Sequence, residues 1–147
     1  MATTALKGNP VHTGGELPAV GSKAPSYSLV GQDLSSVKSS SFAGKSVVLN
    51  IFPSIDTGVC ATSVRKFNEK AASLPGVVVL CVSKDLPFAA GRFCGAEGIK
   101  NVVMGSGFRD HAFETAYGVK LVDGPLKGLM ARSVVVVGAD GVVKHAQ

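Results

Sequence analysis

The sequence predicts an α/β fold with a mixed central sheet flanked by helices. Two nearly continuous β-branched runs, "SVVLNIF" and "VVVLCVS", read as strands buried on both faces. The stretch between them repeats its apolar residues at helical spacing, so the three together form a βαβ unit with parallel strands. Two further β runs at the end of the chain are joined by "ADG", a hairpin signature.

Taken in order, the first forty residues are rich in Gly, Ser, Thr and Pro and read as an N-terminal hairpin or irregular arm. An edge strand at "YSLV" and a short helical turn at "SSSFAGK" follow. "SVVLNIF" ends at Pro53, because proline cannot donate to a central ladder. From Cys60 onward Val64, Phe67, Ala71 and Leu74 form one face, with Arg65, Lys66, Glu69 and Lys70 on the other. That is an amphipathic helix of roughly four turns, stopped by "LPG". After "VVVLCVS", the stretch "PFAAGRFCGAEGI" reads as a shorter, glycine-weakened helix. A short strand near Val102, a helical "DHAFETAYG" and the loop "VDGPLKGLMA" lead into the closing hairpin. No repeat or linker interrupts the chain, so residues 1–147 are expected to form a single domain.

Composition narrows the function classes. Hydrophobic residues make up 46% and charged residues 17%, values of a globular chain rather than a disordered one. The net charge of +5 comes from scattered lysines and arginines, and aromatics are only 6%, which argues against a nucleic-acid partner. The apolar runs are too short to span a bilayer. The polar N-terminus has no secretory apolar stretch, so the cytoplasm is the expected location. His12, His111 and His145 are far apart and read as surface residues.

Cys60, Cys81 and Cys94 make an odd number with no C-x-x-C, against a static disulfide framework, thioredoxin-type exchange and ordinary zinc spacing. Cys81 lies mid-strand, where burial blocks access, and is expected to be inert. Cys60 opens a helix directly after a strand and loop. The first helical turn leaves N–H groups unpaired and bears partial positive charge, which favours a thiolate nucleophile. Cysteine is also a common buried filler, so position alone leaves both readings open.

Neighbouring residues resolve this by resemblance. Pro53, Thr57 and Cys60 give P-x-x-x-T-x-x-C, which resembles the active-site motif of peroxiredoxins. "NIFPSIDTGVCATSVRKFN", "VLCVSKDLPFAAGRFCGAEG" and "DGPLKGLMARSVVVV" resemble, in order, the thiol peroxidase subfamily, the atypical two-cysteine peroxiredoxins. The likeness runs from about Gly8 to the end of the chain. It implies a thioredoxin-like (peroxiredoxin) fold and a peroxidase acting on hydrogen peroxide and organic hydroperoxides. Cys60 would be the peroxidatic thiolate, oxidised to a sulfenic acid. Thr57 would hydrogen-bond the reacting oxygens, Pro53 would shield the thiolate, and Arg132 would stabilise the charge.

Cys94 would be the resolving cysteine, forming an intramolecular disulfide that thioredoxin reduces. Gly91, Gly95 and Gly98 suit the local unwinding this needs. The resemblance also implies no cofactor or metal, and a homodimer. The rival readings are a non-catalytic thiol sensor on the same fold and a disulfide oxidoreductase, the latter disfavoured by the missing C-x-x-C. Family members continue past the position of Gln147 into a C-terminal helix that packs on the sheet, so the domain is expected to be incomplete relative to the family. Three or four large apolar side chains on such a helix, at roughly 1.5–3 kcal/mol each, would matter against a net stability of about 5–15 kcal/mol. The expectation is therefore either a truncated sequence or, if it is complete, a destabilised or aggregation-prone chain with an exposed apolar face.

Overall fold

A computed structural model describes residues 3–6, 9–71, 73–109 and 111–147, with backbone only for 3–6 and 9. Strands β1 (Thr3–Leu6) and β2 (Asn9–His12) pair antiparallel as a separate two-stranded arm. β3 (Ser28–Val30) and β4 (Ser36–Lys38) then begin the main sheet, and a 3-10 turn at Ser39–Phe42 leads to β5 (Ser46–Ile51). Next come α1 (Gly58–Ala71), β6 (Val77–Ser83), α2 (Pro87–Glu97) and β7 (Val103–Ser106). The chain continues through α3 (Ala112–Ala116) to β8 (Ser133–Val137) and β9 (Val143–Ala146).

The seven strands are ordered β4-β3-β7-β6-β5-β8-β9. β5, β6 and β7 run parallel, whereas β8 is antiparallel to β5, so the sheet is mixed as its patterning implies. Alternation along the strands builds a core on each face. Leu49, Ile51, Leu80, Val82 and Val135 face α3, where Phe113 and Tyr117 stack at 4.5 Å. Val79, Cys81 and Met104 face the other way, against Val64 of α1 and Phe93 of α2. Each fully buried aliphatic side chain contributes about 1.5–3 kcal/mol.

α1 has the roughly four turns its periodicity suggests, but it starts before Cys60, at Gly58, and ends at Ala71. Val64 is fully buried and Phe67 and Ala71 pack against the core, but Leu74 lies beyond the helix and is 44% exposed. Its backbone turns instead, with Leu74 N–H donating to the Ala71 carbonyl at 3.2 Å ahead of Pro75 and Gly76. α2 starts with Pro87 in its first turn, where the missing N–H is no loss. Gly98 ends it in the left-handed region at φ 67°, so this glycine caps the helix rather than weakening its interior. Pairing at the sheet edge continues through Gln147, whose N–H donates to the Val134 carbonyl at 3.0 Å. Among the described residues no helix is long and apolar enough to cross a membrane.

Candidate active site

The site forms where β5 ends and α1 begins. Phe52 N–H still donates to Val82 of β6 at 3.1 Å, then Pro53, itself buried, turns the chain away from the sheet. Residues 53–57 make a compact loop. Thr57 Oγ1 donates to the Ser54 carbonyl at 2.9 Å, and the Thr57 carbonyl accepts from Ala61 N–H at 2.9 Å. That last bond opens α1 and places Cys60 third in the helix, in the turn whose N–H groups lack helical acceptors.

Cys60 is 2% exposed, yet it lines a cavity of about 230 Å³ together with Asn50, Phe52, Ser63, Arg132 and Val134. Arg132 reaches this cavity from the segment just before β8, and its guanidinium makes no hydrogen bond or ion pair among the described residues. Asn50 is buried on the cavity wall, accepting from Ser63 Oγ at 3.3 Å and donating to Cys81 Sγ at 3.7 Å. The structure thus brings Cys60 and Arg132 to one cavity from residues 72 apart in sequence (132 − 60). Thr57 and Pro53 are not on that wall. Thr57 is exposed one turn upstream, and Pro53 is packed beneath the loop.

Cys94 lies in α2, 6% exposed, in the same core cluster as Cys60 and Cys81. All three thiols are free. Burial pushes the Cys94 thiol above its ordinary range. The same desolvation pushes Cys81 up to about 12, with the Asn50 amide opposing it and nearby Cys94 adding slightly. Cys81 is therefore held as a neutral thiol, as its mid-strand position implies. The histidines sit at the surface. His12 Nδ1 contacts Asp123 at 2.6 Å, and exposed His111 pairs with the fully buried Glu114.

Sequence reasoning passed over the polar residues that hold the loop. Asp85, just after β6, accepts from Ser54 Oγ and from Ile55 N–H, each at 2.7 Å. The signal available was its position at the carboxyl end of a parallel strand, where α/β sheets place their functional loops.

Comparison with known proteins places this geometry in a class. Residues 19–147 match the family described as Redoxin. The thiol peroxidase of Mycobacterium tuberculosis is 60% identical over 147 residues, which cover 100% of this chain and 88% of that protein. The thiol peroxidase of Corynebacterium glutamicum is 57% identical with the same coverage. A solved peroxiredoxin-like protein from Aquifex aeolicus superposes with TM-score 0.93 at 41% identity, over 99% of this chain and 84% of that one. The fold is the thioredoxin-like α/β fold of the redoxins. Within that family the chain belongs to the thiol peroxidases, peroxiredoxin-type enzymes.

Proposed function

We propose that the protein reduces hydrogen peroxide and organic hydroperoxides, with Cys60 as peroxidatic cysteine. The observation behind this is a cysteine in the first turn of α1, lining a small cavity with Arg132, which pairs with no other described residue. The Cys60 thiolate attacks the terminal peroxide oxygen, an S–O bond forms and the O–O bond breaks. The departing alkoxide or hydroxide takes a proton and leaves as alcohol or water, and Cys60 becomes a sulfenic acid. Arg132 stabilises charge on the thiolate and on the departing oxygen. Thr57, whose hydroxyl proton goes to the Ser54 carbonyl, accepts a hydrogen bond from peroxide arriving on its exposed side, and buried Pro53 keeps bulk water from the sulfur.

Cys94 then attacks the Cys60 sulfur, the S–O bond breaks, and water leaves as an intramolecular disulfide forms. A disulfide requires Cα atoms within about 7 Å, and one or both of α1 and α2 unwind locally to bring Cys60 and Cys94 together. Thioredoxin, a dithiol, returns both cysteines to thiols. All electron transfer takes place at sulfur, so the cycle needs no metal or organic cofactor. The working form is a cytoplasmic homodimer.

The test is peroxide consumption coupled to NADPH through thioredoxin reductase and thioredoxin. Wild type should turn over, and Cys60→Ser should lose at least about a thousandfold, because the nucleophile itself is gone. A single stoichiometric oxidation without turnover would contradict the enzyme and mark a thiol sensor.

A further inference from the structure

We propose that Asp85 is a positioning residue for the peroxide reaction, acting on Thr57 through Ser54; this rests on the peroxidase reading above. Its carboxylate has a full set of partners. Oδ1 accepts from Ser54 Oγ at 2.7 Å, and Oδ2 accepts from Ile55 N–H and from Ser83 Oγ, both at 2.7 Å. The Asp85 backbone is fixed as well. Its N–H donates to Ser83 Oγ at 3.2 Å, and its carbonyl accepts from Ser106 Oγ of β7. Asp85 is thus tied into two strands of the rigid sheet while its side chain reaches across to the loop before α1.

Ser54 relays that constraint. Its hydroxyl oxygen accepts from Asp56 N–H at 3.1 Å. Its carbonyl accepts from both Thr57 N–H at 3.2 Å and Thr57 Oγ1 at 2.9 Å. Thr57 in turn provides the carbonyl for the first bond of α1, beside Cys60. The chain Asp85–Ser54–Thr57 therefore sets the direction of the Thr57 hydroxyl. Among the described residues, the other side-chain tie from this loop is the Asp56–Arg92 pair, with both side chains about two-thirds exposed at 64% and 66%. Charge-assisted bonds to a carboxylate hold geometry better than an exposed pair does.

Asparagine at this position keeps one acceptor oxygen but cannot accept on both sides of the side chain. Misplacing a reacting group by about 1 Å loses on the order of a hundredfold in rate. The experiment is single-turnover oxidation of Cys60 by hydrogen peroxide without reductant, quenched by alkylation and read by mass. Iodoacetamide alkylation of Cys60, which needs no peroxide alignment, runs alongside. Asp85→Asn should oxidise about ten- to a hundredfold more slowly while alkylating within about threefold of wild type.

Ser54→Ala, which leaves Asp85 in place, should slow oxidation in the same selective way and carries the test if Asp85→Asn does not fold. In a Thr57→Val background, neither substitution should slow oxidation by more than about twofold further, because both act through Thr57. Peroxide rates within twofold of wild type, losses that multiply with Thr57→Val, or equal loss in both reactions would overturn the proposal. Wild-type Cys60 that ignored peroxide would instead overturn the peroxidase reading.

Discussion

Cys60, Cys81 and Cys94 share one buried cluster, yet their surroundings differ. Cys60 sits in a helix's first turn on a cavity wall. Cys81 is 1% exposed, and the Asn50 amide donates to its sulfur at 3.7 Å. Burial favours its neutral form, so the folded chain keeps this proton up to about 12, while an unfolded chain releases it near the ordinary 9.0. The folded group's pKa is raised, so its contribution is complete below about pH 9 and is lost as pH rises toward 12. The loss is up to about 1.4 kcal/mol per pH unit. Cys81→Ala should therefore weaken the fall in stability between pH 8 and about 10.5, read from denaturant midpoints. Parallel pH slopes for the two proteins would contradict this. The inert role of Cys81 was legible from its mid-strand position. The loop partners of Cys60 were not, because Ser54 and Asp85 are isolated polar residues that belong to no periodic pattern and meet only in three dimensions.

At the scale of elements, α2 is packed along one face and held by surface ion pairs along another. Its inner face buries Ala90, Phe93 and Cys94. Its N-terminal residue Leu86 makes no side-chain cap, and Gly91 and Gly95 lie within it. Two exposed ion pairs hold it to its neighbours: Arg92 with Asp56 of the active-site loop, and Glu97 with Arg65 of α1. Arg65 also lies over the Phe93 ring at 5.6 Å. Such pairs are worth about 0.2–1 kcal/mol each, enough to shift an opening equilibrium several-fold. If α2 must unwind for Cys94 to reach the Cys60 sulfenic acid, Glu97→Gln should speed disulfide closure by about two- to fivefold. It should leave the first oxidation step unchanged, as rapid-quench alkylation can show. Slower or unaltered closure would contradict unwinding of this helix. The helix and its cysteine were legible from "PFAAGRFCGAEGI". The ion pairs were not, since each joins residues more than thirty positions apart.

Across the whole molecule, one mixed sheet separates two cores, and its parallel strands deliver their carboxyl ends to one edge. Cys60, Asp85 and the loop between Pro53 and Thr57 all gather there. The sheet could be read from sequence because buried parallel strands are written as continuous β-branched runs. Two features escaped that reading. Leu74 fits the helical period of α1 but lies past its end, where the turn before Pro75 overrides periodicity. Glu114 is fully buried in α3, paired with Lys84 at 3.1 Å, although charged residues are rarely buried unless paired. Burial of that kind depends on which faces meet, and single-element patterns do not encode it.

In the proposed cycle, Cys60 and Cys94 act as one redox couple within a single chain. Non-reducing peptide mapping of protein treated with one equivalent of hydrogen peroxide tests it most directly. A Cys60–Cys94 linked peptide pair within the monomer is expected, with Cys81 free, and Cys94→Ser should be trapped with oxidised Cys60. Cys60 joined to Cys60 of a second copy, or Cys60 left reduced, would contradict it.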